Sequence, residues 1–304
     1  MNAFHLRARS GPGSMAFEPA TDPKPGPGEV LVRVRAAAVT PTELVWSPTW
    51  TTPSGAARAF PITPGHEFAG EVSALGEGVA DLAVGDAIYG MNDWYRDGAQ
   101  AELCLARPAD VAAKPRTLDF VAAASVPISA LTALQGLVDR ARVKRGERVL
   151  VHGAAGGVGL FAVQIARSRG ARVLATASSR NLDFVRELGA ETALDYRAQR
   201  FEDVFRDVDV VFDTVGGDTL ARSWGVLGEG GRLVTIAASS EHTRDPREQD
   251  AFFIVEPSRA QLEQIARAID GGELRAAVGA VFPLARAREA YAHKPERGKV
   301  VLAA

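Results

Sequence analysis

The sequence predicts an α/β chain in which a β-rich unit is joined to a doubly wound parallel sheet. Three observations predict this class. In Val149-Leu150-Val151-His152-Gly153-Ala154-Ala155-Gly156-Gly157-Val158-Gly159-Leu160, a buried-strand pattern runs straight into a glycine-rich turn. From Val149 onward, apolar strand patterns and helical patterns alternate, as βαβ units require. Before residue 117 the texture is different: short strand patterns are broken by frequent glycines and prolines, which suits an all-β, barrel-like unit.

In order, residues 10–28 are rich in glycine and proline. Residues 29–39 begin with strand-like alternation. Residues 68–72 and 87–90 read as further short strands, joined by turns at Gly76, Gly78 and Gly85. Residues 118–124 and 128–138 are rich in alanine and leucine and read as helix. After the strand 149–151, a helical pattern from Leu160 is closed by Gly170, and 172–176 is a second buried strand. A helix over 181–188 closed by Gly189, a short strand at 193–196 and a strand at 208–213 follow. The last ends at the turn Thr214-Val215-Gly216-Gly217. A helix over 219–227, strands at 232–236 and 252–255, and an amphipathic helix over 258–269 complete the alternation. The polar segment 239–249 reads as a mobile loop.

Residues 280–284, 287–293 and 298–302 read as strand, helix and strand. They are too few for a domain and are expected to complete the β-rich unit. The expected division is 1–117 with 272–304 for that unit and 118–271 for the parallel sheet.

The glycines after Val151 have a physical task. Strand, tight turn, helix and strand form the context that a dinucleotide fingerprint needs. Gly156 leaves room for backbone amides to approach a pyrophosphate, and Gly159 lets the helix pack closely on the strand. The positive end of the helix then faces the phosphates. The first glycine of G-x-G-x-x-G is replaced by Ala154, with Gly153 just before it, so a plain structural turn is the competing reading.

Composition bounds the rest. The 304 residues carry a formal net charge of -2, which gives no basic footprint for nucleic acid. The single cysteine, Cys104, permits neither an intrachain disulfide nor a cysteine-rich zinc lobe. No apolar run approaches the roughly twenty residues of a membrane span, and the first residues lack a signal-peptide core. A cytoplasmic enzyme acting on a small molecule is the expectation.

Five ordered motifs then carry a resemblance across essentially the whole chain. Pro64-Gly65-His66-Glu67-Phe68-Ala69-Gly70-Glu71-Val72, the loop 153–159, Asp213-Thr214-Val215-Gly216-Gly217, Gly230-Gly231-Arg232-Leu233-Val234 and Gly298-Lys299-Val300-Val301-Leu302 follow one another as in medium-chain dehydrogenases/reductases. The glycine loop resembles that of their zinc-independent quinone oxidoreductase (zeta-crystallin-like) branch. The resemblance implies a GroES-like catalytic domain interrupted by a Rossmann domain, with the active site in the cleft between them. It also implies a homodimer.

Zinc-dependent members of that family take a cysteine from the segment held here by Thr40, a histidine from the motif held by His66, and a third ligand near the start of the Rossmann half. Threonine is no substitute for a zinc thiolate. No metal is therefore expected, and His66 reads as a hydrogen-bonded residue beneath the cleft.

NAD-binding folds usually place an acid at the end of the second strand, on the ribose hydroxyls. Here the turn holds Ser178, Ser179 and Arg180, which suit the extra phosphate of NADPH, because arginine offers a planar fork of charged donors. The competing reading is that Arg180 merely opens an exposed helix. By resemblance, Tyr196 reaches the adenosine phosphate and Thr132 lies near the nicotinamide. Gly153, Ala154, Ala155, Gly156, Gly157, Val158, Gly159, Thr214, Val215, Ile236, Phe253 and Lys299 supply further cofactor contacts.

Without a Lewis acid, a hydride can still pass to an acceptor whose own carbonyl takes up the charge. A quinone or an α,β-unsaturated carbonyl compound meets that need. Thr40 is a candidate donor to the substrate oxygen, and Tyr89 and Tyr95 are candidate proton donors. Thr42, Trp46, Trp50, Asn92 and Trp94 are candidate substrate contacts. Two further readings stay open: an enoyl-thioester reductase, and a non-catalytic NADPH-binding sensor or structural protein.

Overall fold

The computed structural model describes residues 1–304, apart from the side chains of Pro12 and Ala238. The β-rich part begins with an antiparallel hairpin of β1 (Asn2–Leu6) and β2 (Met15–Pro19). The strand β2 lies within the glycine- and proline-rich residues 10–28, where the sequence carries no strand pattern. Each of these strands is five residues long, and they are fixed by burial of Phe4, Leu6 and Met15 rather than by any long alternation.

The main sheet of this part contains β3 (Val30–Val39), β4 (Glu67–Leu75), β5 (Ala87–Met91), β6 (Leu103–Ala106) and β7 (Val111–Ala113). Along β3, buried Val30, Val32 and Val34 alternate with exposed Arg33 and Arg35; Ala36–Val39 are then buried on both faces. That last stretch leads directly into Thr40.

The second sheet contains β8 (Arg148–Val151), β9 (Arg172–Ala177), β10 (Thr192–Asp195), β11 (Val208–Asp213) and β12 (Leu227–Thr235). All are parallel, in the order β10-β9-β8-β11-β12. The chain winds outward in both directions from β8, so the winding reverses between β8 and β11. A crevice opens at the carboxyl ends of the strands at such a switch point. Finally β13 (Val278–Pro283) and β14 (Lys299–Ala303) return to the first sheet, where β14 lies antiparallel to β3. The fold is a GroES-like domain together with a Rossmann-like parallel-sheet domain. Among the described residues, no helix is long and apolar enough to cross a membrane.

Several expected elements differ from those observed, each for a local reason. The expected strand 252–255 is reduced to a single bridge between Phe252 and Thr235. Phe253 and Val255 instead bury their side chains, and the Val255 carbonyl accepts a bond from Trp94 Nε1 at 3.1 Å. The helix read over 128–138 is α-helical over Pro127–Leu134 and widens over Gln135–Arg140. There the Gln135 amide bonds both backbone groups of Glu256, and Gly136 admits the ring of Phe212. The segment read as loop, 239–249, contains most of a helix, Pro246–Ala251, capped by Asp245.

His152 shows how tightly the turn after β8 is held. It is fully buried; the Thr176 hydroxyl lies 3.0 Å from Nδ1, and Ser223 Oγ lies 3.0 Å from Nε2. Ser223 already donates to Thr219, so it accepts from Nε2–H, and Thr176 donates to Nδ1. This arrangement uses the neutral ring. Burial, assisted by Arg222 and opposed by Glu202, pushes its pKa down to about 3. A group depressed in the folded state costs stability as pH falls below its unfolded value of about 6.5. The wild type is therefore expected to lose stability between pH 6.5 and 3, by at most roughly 5 kcal/mol from this group. His152→Gln is expected to be weaker at pH 7 but flatter across that window, as read from urea midpoints at each pH.

Candidate active site

The carboxyl ends of the parallel strands share one edge, and most of the sequence-predicted cofactor residues lie along it. Gly153–Gly159 follow β8, Ser178–Arg180 follow β9, Tyr196 follows β10, Thr214 and Val215 follow β11, and Ile236 follows β12. At the glycine-rich loop the chain leaves no slack. Gly153 has a φ of +67°, and a Cβ there would lie 2.4 Å from Thr214 Oγ1, whose hydroxyl caps the His152 carbonyl. A Cβ on Gly159 would lie 2.2 Å from the Gly153 carbonyl oxygen. Gly156 is different: it is exposed, and a Cβ would meet only that same oxygen, at 3.3 Å. The helix Gly157–Ser168 starts there, so its first amides face open space at the loop. Such a cradle fits the pyrophosphate of a dinucleotide.

Ala154 and Ala155 are buried beneath the loop, whereas Val158 lies along the wall of the cleft. At the far end of the edge, no acid stands at the end of β9. Asn181 is buried and ties Ser178 Oγ, at 3.2 Å, to the Glu296 carbonyl, at 2.8 Å. Arg180 pairs with the Glu296 carboxylate, and both side chains are exposed. Ser179 opens the short turn, and Tyr196 is exposed beside Arg197.

The near end opens into a cleft of about 380 Å³ between the two sheets. Thr40, Thr42 and Trp46 line one wall; Thr132, Gly156–Gly159, Thr214, Val215, Ile236 and Phe253 line the other. The hydroxyl of Thr132 donates to the Ile128 carbonyl at 2.6 Å, within its own helix. Ser129 Oγ is buried on the cleft wall with no partner, an unspent polar group that the sequence reading missed.

Lys299 sits at the back of the cleft. Its stem packs beside Gly157, and its ammonium turns away from the loop, to Thr40 Oγ1 at 3.0 Å and to the carboxylate of Glu67. Thr40 in turn donates to Glu67 Oε1 at 3.2 Å, and the Ile128 amide bonds Oε2 at 3.0 Å. Burial pushes Lys299 down to about 7, opposed by the nearby charge of Glu43.

Behind this trio lies a second, fully enclosed network. Glu43 Oε1 accepts from Tyr291 Oη at 2.6 Å and from the Gly65 amide at 2.8 Å, and Oε2 shares a proton with His66 Nδ1 at 3.2 Å. The other ring nitrogen of His66 donates to the Arg96 carbonyl at 3.2 Å. Gln100 donates to Tyr291 at 2.9 Å. Tyr291 and Gln100 carried no sequence signal, because Tyr291 lies 248 residues from Glu43 in the chain. His66 is the hydrogen-bonded residue expected of it.

Five of the candidate substrate or proton-transfer groups lie elsewhere. Tyr89 is fully buried, donates to the Leu262 carbonyl at 2.6 Å, and is pushed far above its ordinary pKa by burial, so it cannot serve as a proton donor. Tyr95 is exposed outside the cleft. Trp50 is packed in the core around Phe4 and Leu6 and donates to the Leu44 carbonyl. Asn92 bonds the Leu105 carbonyl and borders a separate hollow of about 830 Å³ that touches none of the glycine loop. Trp94 stacks on His66 with centroids 4.9 Å apart and meets Trp46 edge-on at 5.1 Å. Tyr89 and Trp94, read from sequence as cleft groups, are fasteners between the two sheets' domains. Alternating apolar segments look alike whether they face a ligand or a neighbouring domain.

The donor set does not fit a catalytic zinc. Both nitrogens of His66 are engaged, Thr40 replaces a thiolate, and Glu67 is held by a lysine. Among the described residues, no three His, Cys, Asp or Glu side chains converge as a metal site.

Comparison with known proteins agrees with this architecture. Residues 26–116 match the alcohol dehydrogenase GroES-like domain, and residues 188–302 match a family described as zinc-binding dehydrogenase. A probable mitochondrial zinc-binding oxidoreductase from Arthroderma benhamiae is 34% identical, over 93% of this chain and 91% of its own length. The solved quinone oxidoreductase of Coxiella burnetii superposes with a TM-score of 0.90 at 29% identity, covering 100% of this chain and 99% of that one. A mycobacterial protein solved in complex with NADPH superposes with a TM-score of 0.84 at 30% identity, covering 100% of both chains.

Proposed function

Because the chain belongs to the medium-chain dehydrogenase/reductase family and is an oxidoreductase, we propose that it uses NADPH, without zinc, to reduce a quinone or an α,β-unsaturated carbonyl compound. One observation carries the reading: a cation–hydroxyl pair, Lys299 and Thr40, stands at the cleft wall where the metal-dependent relatives would need a thiolate. A hydrogen-bond donor can stabilise charge on an acceptor that is already electron-poor. A simple alcohol or ketone would require more polarisation than that pair supplies.

Bound nicotinamide supplies the hydride. The chain's own residues position and shield the acceptor. Trp46 gives the cleft a flat apolar wall, Thr40 and Ser129 are among its lining residues, and the Ser47 amide donates to Glu241 at 3.3 Å across the two domains. Orientation and exclusion of water are the chief contributions such a site can make.

Choice of NADPH over NADH rests on Ser178 and Arg180, with no acid at the end of β9; the exposed Glu296 carboxylate that pairs with Arg180 would swing aside for the phosphate. Charge-assisted hydrogen bonds contribute about 1.5–3 kcal/mol. Arg180→Ala is therefore expected to raise the KM for NADPH by about ten- to a hundredfold, with the KM for NADH unchanged.

The deciding experiment is consumption of NADPH against NADH by chelator-treated protein with a panel of quinones and enones. Turnover that prefers NADPH and survives chelation supports the proposal. Equal use of NADH sinks the cofactor assignment, and turnover restored only by zinc sinks the metal-free one. Activity confined to enoyl thioesters would move the chain to enoyl-thioester reduction. Tight NADPH binding with no acceptor reduced would make it a binding protein.

A further inference from the structure

We infer that Lys299 is the proton source of the cleft and delivers its proton through the hydroxyl of Thr40. The inference rests on the reductase reading above and goes beyond it. It reassigns Lys299, expected from sequence to contact the cofactor, to the chemistry of the acceptor.

The need for a proton follows from electron counting. An enone or quinone that takes up a hydride gains a C–H or O–H bond and an electron pair that ends on oxygen. The resulting enolate or hydroquinone anion must bind one proton from another source. Tyr89 is buried against the Leu262 carbonyl, and Tyr95 and Trp50 lie outside the cleft. Of the cleft-lining groups, Lys299 and His293 carry transferable protons, and Lys299 is the one bonded to a hydroxyl of another lining residue, Thr40.

The geometry suits a two-step hop. In the structure Lys299 Nζ donates to Thr40 Oγ1 at 3.0 Å, and Thr40 donates onward to Glu67. Rotation of the threonine hydroxyl toward the cleft would send its proton to the oxyanion while Thr40 accepts one from Lys299. The balance is one N–H bond broken and one O–H bond formed, with the Thr40 hydroxyl restored and Lys299 left neutral until solvent reprotonates it. Burial lowers Lys299 to about 7 and so makes the ammonium more acidic than a solvated lysine, while contact with the Glu67 carboxylate favours the charged form. Glu67 holds the ammonium in place, and Glu43 opposes its loss of charge. The remaining titratable neighbours are His66 and Tyr291, both bonded to Glu43, and His293 on the cleft rim.

The test uses the full chain with NADPH and two acceptors, 1,4-benzoquinone and 2-cyclohexen-1-one. Three readouts are taken: kcat from pH 5.5 to 9, the solvent isotope effect, and NADPH Kd from tryptophan fluorescence. The wild type is expected to lose kcat as pH rises through a basic limb lying below the range of a solvated lysine, because only protonated Lys299 can donate. Lys299→Arg keeps the charge but cannot release a proton in this range. It is expected to lower kcat about a hundredfold and abolish the basic limb, with NADPH Kd within about threefold of wild type. Thr40→Val should reproduce that loss, and Thr40→Ser should restore both rate and limb.

A Lys299→Arg variant with full kcat and an unchanged limb overturns the inference. So does one that weakens NADPH binding tenfold or more with kcat intact, which would make Lys299 a cofactor anchor. Failure of the wild type to oxidise NADPH with either acceptor overturns the reductase reading as well, and is distinguishable because no variant is then needed.

Discussion

Gly159→Ala is expected to raise the Kd for NADPH at least a hundredfold and to lower Tm by several degrees, as measured by fluorescence titration and thermal unfolding. The added methyl would lie 2.2 Å from the Gly153 carbonyl oxygen and 2.8 Å from the Ala154 Cα. These are backbone atoms with no rotamer to yield, so the start of the helix Gly157–Ser168 must shift. Overpacking of this kind costs about 1–3 kcal/mol in stability. The shift also displaces the free amides that would face the pyrophosphate, so binding suffers more than folding. Gly156→Ala separates the two effects. Its methyl would meet only one oxygen, at 3.3 Å, and the site is exposed, so Tm should hold. NADPH affinity should nevertheless fall about tenfold if a pyrophosphate lies against that atom. Wild-type affinity in Gly156→Ala would show that the loop is a structural turn and not the cofactor cradle.

Glu43→Ala is expected to destabilise the chain by about 3–5 kcal/mol, the scale of removing one partner from a buried charged pair. The carboxylate is fully enclosed and serves the Tyr291 hydroxyl, the Gly65 amide and His66. None of these can reach water once it is gone. Tyr291→Phe removes a single bond to Glu43 and is expected to cost about 1–2 kcal/mol. Urea unfolding of the two variants and of their double mutant checks the assignment. A double mutant as weak as Glu43→Ala alone shows the groups acting as one network, whereas additive losses would show Tyr291 contributing separately. Because this network lies beneath Thr40 and Glu67, Glu43→Ala should also blunt the cleft chemistry in whatever protein remains folded.

The fold was legible because its signals are local. The strand at Val149, the turn at Gly153–Gly159 and the following helix lie within one short stretch. Their periodicities and the steric demands of glycine do not depend on distant residues. The same holds for the end of β9, where the residue types of Ser178, Ser179 and Arg180 already argue about phosphate. The motif order from His66 to Lys299 carried the family. The strand 252–255 was misread because apolar content marks burial without saying against what. Here the burial is against another domain, so the Val255 carbonyl accepts a hydrogen bond from Trp94 Nε1 in place of a ladder bond.

By itself, then, the sequence determined the class of fold, the position of the glycine loop and the family. Tertiary structure alone decided which polar groups meet. Thr40 and Lys299 lie 259 residues apart, and Glu43 and Tyr291 lie 248 apart; β14 returning beside β3, with its flanking helix, brings both pairs together. It also decided that Tyr89 and Trp94 hold domains while Ser129 is buried in the cleft wall. The physical reason is the range of the forces that specify each feature. Backbone preference and side-chain period act over a few residues and are written along the chain. A buried ion pair or hydrogen bond exists only where packing has removed water from around both partners, and no local pattern records that meeting.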